Sequence, residues 1–389
     1  MQKMSKKKYI YIVQVTRQLS IDILNNFSKQ GAEIILVTGI VESNYASLDS
    51  NVKVCYLNKY NSTSSLKRLF TWAIFTLRAF FFVLFKSKEY ELILVTTPPF
   101  IIFVGSFFNK LRNQKFHLII WDLYPDVLVN FGVLKESSFF IKRWKKANTK
   151  CFNRATHLFT LGKHLSDAIK VYTNKLPILI PNWTNTDFIK PLAKNENTFA
   201  IQHGLTSKFV VMYSGNLGIT HDIEAIVDTA EELKEYSAIQ FVIIGEGAKK
   251  DKITNMVKEK KLSNVLLLPY QDKEILPYSL SCADVGVVTL SEGAESISVP
   301  SKTYYMLAAG TAILALASTN SELGLLINTY KCGKVFDNSQ SKSTAEYILY
   351  LNQNKEVLNE LKTNSRKASY DYTPTNATIY YDYICNQKV

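Results

Sequence analysis

Cysteine is scarce in this 389-residue chain, and what there is does not form a pattern. Cys55, Cys151, Cys282, Cys332 and Cys385 are odd in number, scattered, and never spaced as CxxC. This excludes a disulfide framework and a zinc site and points to a reducing compartment. Long apolar runs are missing too. The strongest, Leu69 to Phe85, carries Arg78 inside it. A spanning helix needs about 20 apolar residues, and a charge at its centre costs several kcal/mol. Lys67, Thr71 and Arg78 instead form a narrow polar stripe, so a nearly buried or interfacial helix is expected. The run Pro99–Phe108 is too short to cross a bilayer. The N-terminal lysines precede an apolar run that Gln14 interrupts, with Arg17 following and no small-residue cleavage site. That segment reads as a first buried strand rather than an export signal.

Acidic residues are thin in one half only. Residues 1–200 hold 28 Lys and Arg against 12 Asp and Glu, whereas residues 201–389 hold 18 against 21. A basic first half implies a polyanionic partner, either nucleic acid or an anionic membrane surface. With 47% apolar and 20% charged residues, the chain buries cores, which excludes a disordered chain and a collagen.

Short β-branched runs alternate with helical stretches such as 20–30 and 65–85. Strands are expected at 9–15, 34–38, 52–57, 92–96, 117–122, 158–161 and 178–180. After a polar interval they resume at 209–214, 240–245, 265–268, 285–290, 313–316 and 334–336. This is the pattern of an α/β protein with two doubly wound parallel sheets. The expected division is a first domain over 1–185, a linker over 186–204 and a second domain over 205–369. The Tyr-rich tail 370–389 is expected to pack back on the first domain. Ligands of such sheets sit at the carboxyl ends of the strands, in a cleft expected between the two domains.

Four segments follow strands in the second half. Tyr213-Ser214-Gly215-Asn216-Leu217-Gly218 runs from a strand into a glycine turn. Glycines let the backbone approach a ligand, and a following helix start favours an anion. His221 and Asp222 come next, Asp222 being also a plain N-cap candidate. Ile243-Ile244-Gly245-Glu246-Gly247 repeats the pattern. Pro300-Ser301-Lys302 opens a helix that Gly310 closes. Lys302 then sits in the first turn, where a cation opposes the helix dipole; a bound anion would offset that cost. Leu268-Pro269-Tyr270 offers an aromatic ring to a nucleobase. Each has a bland reading as well: a tight turn, a solvated lysine, a loop.

In the first half, Trp121-Asp122-Leu123-Tyr124-Pro125-Asp126 leaves a strand. A carboxylate there could orient a hydroxyl or stabilise positive charge, but Asp122 could equally bond the backbone and Asp126 cap a turn. Thr97 also follows a strand. His117, at a strand start, reads as structural. A helix over 137–155 would carry an apolar stripe of Phe140, Trp144, Ala147, Cys151 and Ala155. Its basic stripe of Lys142, Lys146 and Lys150 suits an anionic lipid surface, and Phe80-Phe81-Phe82 could reach the interface.

Taken together, these segments, with Ala283-Asp284-Val285-Gly286-Val287 and Ile180-Pro181-Asn182-Trp183, resemble the group 1 (family 4) glycosyltransferases of GT-B fold. The branch they look most like builds capsule, O-antigen and colanic-acid-type repeat units in bacteria. The resemblance implies a nucleotide-sugar donor, UDP being the expected nucleotide. Gly215, Asn216, Gly218, Gly245, Glu246 and Gly247 would approach its phosphates and sugar. Tyr270 would flank the base, while Pro300, Ser301 and Lys302 would hold the diphosphate. It further implies transfer with retention, no metal or other cofactor, and a polyprenyl-diphosphate-linked acceptor on the first domain at the cytoplasmic face of the membrane. Asp122, with Thr97 and Asp126 as weaker candidates, would serve that acceptor.

The sequence departs from the family at the Glu-x7-Glu pair of many relatives, where it has Ile297 and Tyr305. Glu292 and Glu295 lie nearby but out of register. A basic pair usual after the first glycine turn is also missing, and only His221 is there. A catalytically inactive donor- or lipid-binding relative, or a nucleotide-sugar epimerase on the same fold, are the alternatives. A nucleic-acid binder would explain the charge but not the glycine turns, so no nucleic-acid partner is expected.

Overall fold

The β-branched and aromatic runs of the chain form strands, and every pairing among them is parallel. The structure, a computed structural model, describes residues 6–61, 63–291 and 300–386. In chain order the strands are β1 (Lys8–Ile12), β2 (Val15–Thr16), β3 (Glu33–Thr38), β4 (Ile40–Val41), β5 (Lys53–Tyr56), β6 (Tyr90–Val95), β7 (Phe116–Ile120), β8 (Leu158–Thr160) and β9 (Ile178–Leu179). There follow β10 (Phe209–Ser214), β11 (Ile239–Ile244), β12 (Val265–Leu268), β13 (Val285–Thr289), β14 (Ala312–Leu316) and β15 (Gly333–Phe336).

Two compact units result: residues 1–181 together with 374–389, and residues 182–373. The first holds a seven-stranded sheet in the order β5-β3-β1-β6-β7-β8-β9, plus the short β2-β4 ladder. The second holds a six-stranded sheet in the order β12-β11-β10-β13-β14-β15. Strands such as Tyr-Ile-Tyr-Ile in β1 and Val-Val-Met-Tyr in β10 are apolar at successive positions because helices cover both faces of the sheet. In each sheet the winding reverses at one place, between β1 and β6 in the first and between β10 and β13 in the second. Such reversals open a crevice at the carboxyl ends of the strands.

Three expectations differ from what is seen. The stretch 186–204 is not a tether but part of the second unit. It contains the helix Thr198–Gln202, capped by Asn197, whose side chain accepts from the Ala200 amide. Phe199, Ala200 and Leu205 are buried. Its polarity came from cap and turn residues, which look like a linker in a sequence. The tail divides at Pro374 rather than at Tyr370. Tyr372 packs edge-on against Tyr304 in the second unit, 4.8 Å between ring centroids. The helix Ala377–Asn386 belongs to the first unit, where Tyr380 is buried and Tyr381 meets Phe27.

The basic helix runs Phe139–Arg154 and buries Ile141, Trp144, Asn148, Cys151 and Phe152. Phe140, expected on the buried stripe, is exposed, because the stripe passes through Ile141 instead. The Ser65–Leu84 helix buries only Trp72, Phe75, Ala79 and Val83 and leaves large apolar side chains in the open. No helix among the described residues is long and apolar enough to cross a membrane.

Candidate functional site

In the second unit the carboxyl ends of β10, β11 and β12 bring two glycine turns and one aromatic loop together. The Gly215 amide donates to the Ile244 carbonyl, and the Leu217 amide to the Glu246 carbonyl, both at 2.9 Å. The two turns therefore run side by side in contact. A Cβ on Gly245 would stand 1.9 Å from the Gly215 oxygen, and one on Gly247 2.5 Å from the Leu217 oxygen. Glycine is required at both because the neighbouring backbone occupies the space of a side chain. Tyr270, exposed on the loop after β12, points its hydroxyl at the Glu246 carbonyl at 3.5 Å. A cavity of about 130 Å³ lies beside Leu217, Gly245, Leu268 and Pro269.

Lys302 begins the helix Lys302–Ala309, with Ser301 at the N-cap position and Gly310 closing the end in a left-handed conformation. Ser301 makes no side-chain cap, so its hydroxyl is not committed to the helix. The Lys302 ammonium reaches the first glycine turn: a Cβ on Gly215 would meet Nζ at 2.8 Å. Nζ donates to the Tyr213 hydroxyl at 2.6 Å and sits 4.0 Å from the centre of that ring. The same hydroxyl donates to the Asn216 carbonyl at 2.7 Å. No carboxylate among the described residues pairs with Lys302. Burial without a counter-charge pushes its pKa down to about 7. An amine without a counter-charge beside two backbone turns is suited to an anion, whose binding would restore the charged form.

A second set of contacts holds the first turn to β13. His221 Nδ1 bonds the Thr289 carbonyl at 2.9 Å, and the Asp222 amide donates to the Thr289 hydroxyl at 3.2 Å. Burial, with Lys302 adding repulsion, lowers the imidazole pKa to about 4, so it stays neutral. Lys249 reaches across from the second turn, donating to the His221 carbonyl and to Glu224, each at 2.8 Å. Its ion pair with Glu224 makes it a brace between the turns. Asp222 accepts from the Ala225 amide at 3.3 Å, as a cap would.

In the first unit, Asp122 follows β7. Its amide and that of Trp121 donate to Thr96 Oγ1 at 3.3 and 3.2 Å. The residue is exposed at its surface, yet the protein packed around the carboxyl desolvates it and raises its pKa, and the carboxylate has no partner among the described residues. Asp126 is differently placed: it accepts from the Tyr172 hydroxyl and pairs with Lys145 at 3.3 Å. Thr97 is half-buried beyond β6, its carbonyl taken by the Gln14 amide at 3.2 Å. His117 is buried and stacks on His157, with Nε2 3.0 Å from Glu91, as a structural histidine does.

Lys302, Gly215, Asn216, Gly218, Gly245, Glu246, Gly247 and Tyr270 thus converge at the strand ends of one sheet, with Pro300 and Ser301 leading into the helix start. Glu292, Glu295 and Ile297 lie outside the described residues; Tyr305 is half-buried on the Lys302–Ala309 helix. Tyr213 and Lys249 were not singled out from the sequence. Tyr213 could have been, since it is the polar-tipped residue of β10 one step before the turn. Lys249 carries no local signal that separates it from Lys250. Among the described residues there is no group of three or more His, Cys, Asp or Glu able to hold a metal ion.

A parallel sheet with glycine turns at the carboxyl ends of its strands, beside the point where the winding reverses, is the arrangement in which open α/β sheets hold ligands. Residues 195–368 match the family of glycosyl transferases group 1. That match lies within the second unit, and the chain has the GT-B fold, as its resemblance to the family implied. The chain is 26% identical over 238 residues to the probable glycosyltransferase WbjE of Pseudomonas aeruginosa, covering 60% of this chain and 58% of that protein. It is 25% identical over 294 residues to the putative colanic acid biosynthesis glycosyl transferase WcaI of Escherichia coli, covering 71% and 70%. The match to WbjE thus spans less than two thirds of that protein's length. Among solved structures, sucrose-phosphate synthase from Thermosynechococcus elongatus superposes with a TM-score of 0.77 at 15% identity, over 98% of both chains. Anabaena HepE, solved with UDP and glucose, gives 0.69 at 12% identity, over 97% of this chain and 100% of that one.

Proposed function

We propose that this protein transfers a hexosyl or N-acetylhexosaminyl group from a nucleotide-sugar donor to a lipid-linked saccharide, in the assembly of a bacterial surface polysaccharide. The observation that carries this reading is the unpaired Lys302 amine beside the touching glycine turns at Gly215 and Gly245. The donor is UDP-linked, in keeping with the UDP bound by HepE. The turn amides and Lys302 take the diphosphate, and Tyr270 lies against the base.

The reaction breaks the bond between the anomeric carbon and the donor phosphate oxygen. Charge grows on that oxygen as the bond lengthens, and a preorganised ammonium and amide dipoles stabilise it there. The acceptor oxygen bonds the anomeric carbon on the face the phosphate leaves, giving retention, and its proton passes to the departing phosphate. Asp122 orients the acceptor hydroxyl on the first unit. The charge on the leaving group is met by Lys302 rather than by a metal, so turnover persists in a chelator. The acceptor, a sugar on a polyprenyl diphosphate, places the enzyme as a peripheral protein at the cytoplasmic face of the membrane.

The test is turnover of radiolabelled UDP-sugars with membranes containing lipid-linked sugars, with and without chelator. Transfer of label to lipid supports the reading. Epimerisation of the donor without acceptor, or UDP binding with no transfer from any donor, would replace it.

A further inference from the structure

The first unit carries an apolar surface that its own fold does not cover. On the Ser65–Leu84 helix, Phe70 is 66% exposed, Leu77 57% and Phe81 49%, and Phe85 at its end is 82% exposed. Phe107, 47% exposed, stands on the neighbouring helix Ile101–Arg112. Between the two helices runs a groove of about 470 Å³, lined by Leu77, Phe80, Phe100, Phe103 and Phe107. Thr76 is the one polar side chain lining it. Soluble proteins seldom expose apolar patches of this extent unless something binds there.

The charge around the patch identifies the occupant. The helices Ser65–Leu84, Ile101–Arg112 and Phe139–Arg154 contain no Asp or Glu at all, but eleven Lys and Arg. Lys86, just past the first helix, lies over Phe82 at 4.9 Å, and Arg143 lies over Phe139 at 5.0 Å. Arg78 stands on the exposed side of the first helix. The three helices pack over one core, which includes Phe75, Ile102, Phe108 and Phe152; Lys145 is paired with Asp126 and Glu136, whereas Lys67, Arg78, Lys110, Lys142, Arg143, Lys146 and Lys150 are exposed. A second copy of the chain would meet this surface with the same cations, and like charges would oppose. An anionic bilayer meets it with opposite charge at the headgroups and hydrocarbon beneath.

We infer that this face docks on an anionic bilayer, with Phe70, Phe81 and Phe85 entering the interface and the hydrocarbon chain of one lipid lying in the Phe80–Phe103 groove. This deepens the lipid-linked reading above, on which it rests for its purpose, while its geometry stands on the first unit alone.

The test uses the full chain with vesicles of phosphatidylcholine, alone or with phosphatidylglycerol, and follows UDP affinity in parallel. Binding to the mixed vesicles is expected, weakening as salt rises. A Phe70→Ser/Phe81→Ser/Phe85→Ser variant is expected to lose partitioning by at least about tenfold, with UDP affinity unchanged. An Arg78→Glu/Lys110→Glu variant is expected to lose the preference for anionic vesicles. Equal binding to both vesicle types, or full binding by the triple phenylalanine variant, would overturn the inference. So would a wild-type dimer in solution that the same variant dissolves. If vesicles bind but UDP does not, the donor reading fails and this one stands.

Discussion

Lys302 Nζ lies 2.6 Å from the Tyr213 hydroxyl and 4.0 Å from the centre of the same ring. The hydroxyl accepts from the amine and donates in turn to the Asn216 carbonyl, so the helix start and the first glycine turn are tied through one side chain. Removing the amine by Lys302→Ala is expected to weaken UDP binding about tenfold or more, the range of a charge-assisted hydrogen bond. Tyr213→Phe is expected to weaken it less, since the amine survives. Calorimetric titration with UDP checks both, and full affinity in Lys302→Ala would remove it from the diphosphate.

The protonation of Lys302 gives a pH signature. Its pKa falls from the ordinary 10.5 to about 7 in the folded protein. Between these values the unfolded chain holds a proton that the folded chain does not. Stability of the free protein therefore gains a contribution as pH rises from about 7 to about 10.5, and lacks it below. Bound diphosphate favours the ammonium, so UDP binding within that window takes up a proton. Titrations in two buffers of different ionisation enthalpy measure the uptake. It should vanish in Lys302→Ala.

The contact between the glycine turns makes a separate prediction. In Gly245→Ala the new methyl group would fall 1.9 Å from the Gly215 oxygen, so the first turn must move. A destabilisation of about 1–3 kcal/mol is expected, with a loss of UDP affinity that Gly204→Ala, a glycine with open space around it, does not share. Thermal denaturation and titration of both variants test it.

Much of this was readable from the residues. β10 and β12 run over the expected ranges, ten of the other strands match theirs within two residues at each end, and β1 stops at Ile12, three residues short. Apolar runs of four to six residues bounded by Gly, Asn or Asp have few other ways to fold. The glycine turns and the helix start at Lys302 were equally plain, because Gly and Pro punctuate the chain directly. What stayed hidden depends on distant partners. The short β2-β4 ladder has two residues a strand and no period to show. Lys249 gains its role only because Glu224 and the His221 carbonyl are folded against it. Asn197 looks like linker until its amide is seen bonding the Tyr278 carbonyl at 2.8 Å.

Asp122 and Asp126 are four residues apart, yet their surroundings assign them different work. Asp126 is satisfied by Tyr172 and Lys145, whereas the Asp122 carboxylate has no partner among the described residues and is partly desolvated, which raises its pKa. A carboxylate so placed contributes nothing to the packing of its own loop, which Thr96 holds through the Trp121 and Asp122 amides. Asp122→Asn keeps those amides and the side-chain shape, and is expected to fold as the parent does. If Asp122 orients the acceptor hydroxyl, turnover falls by about 10²-fold while UDP affinity and thermal stability stay as they were. Asp126→Asn should do the reverse, lowering the unfolding temperature by weakening the Tyr172 and Lys145 contacts, with a smaller effect on turnover. Rates with a lipid-linked acceptor, alongside melting curves, separate the two, and equal rates in Asp122→Asn and the parent would assign the acceptor to other residues.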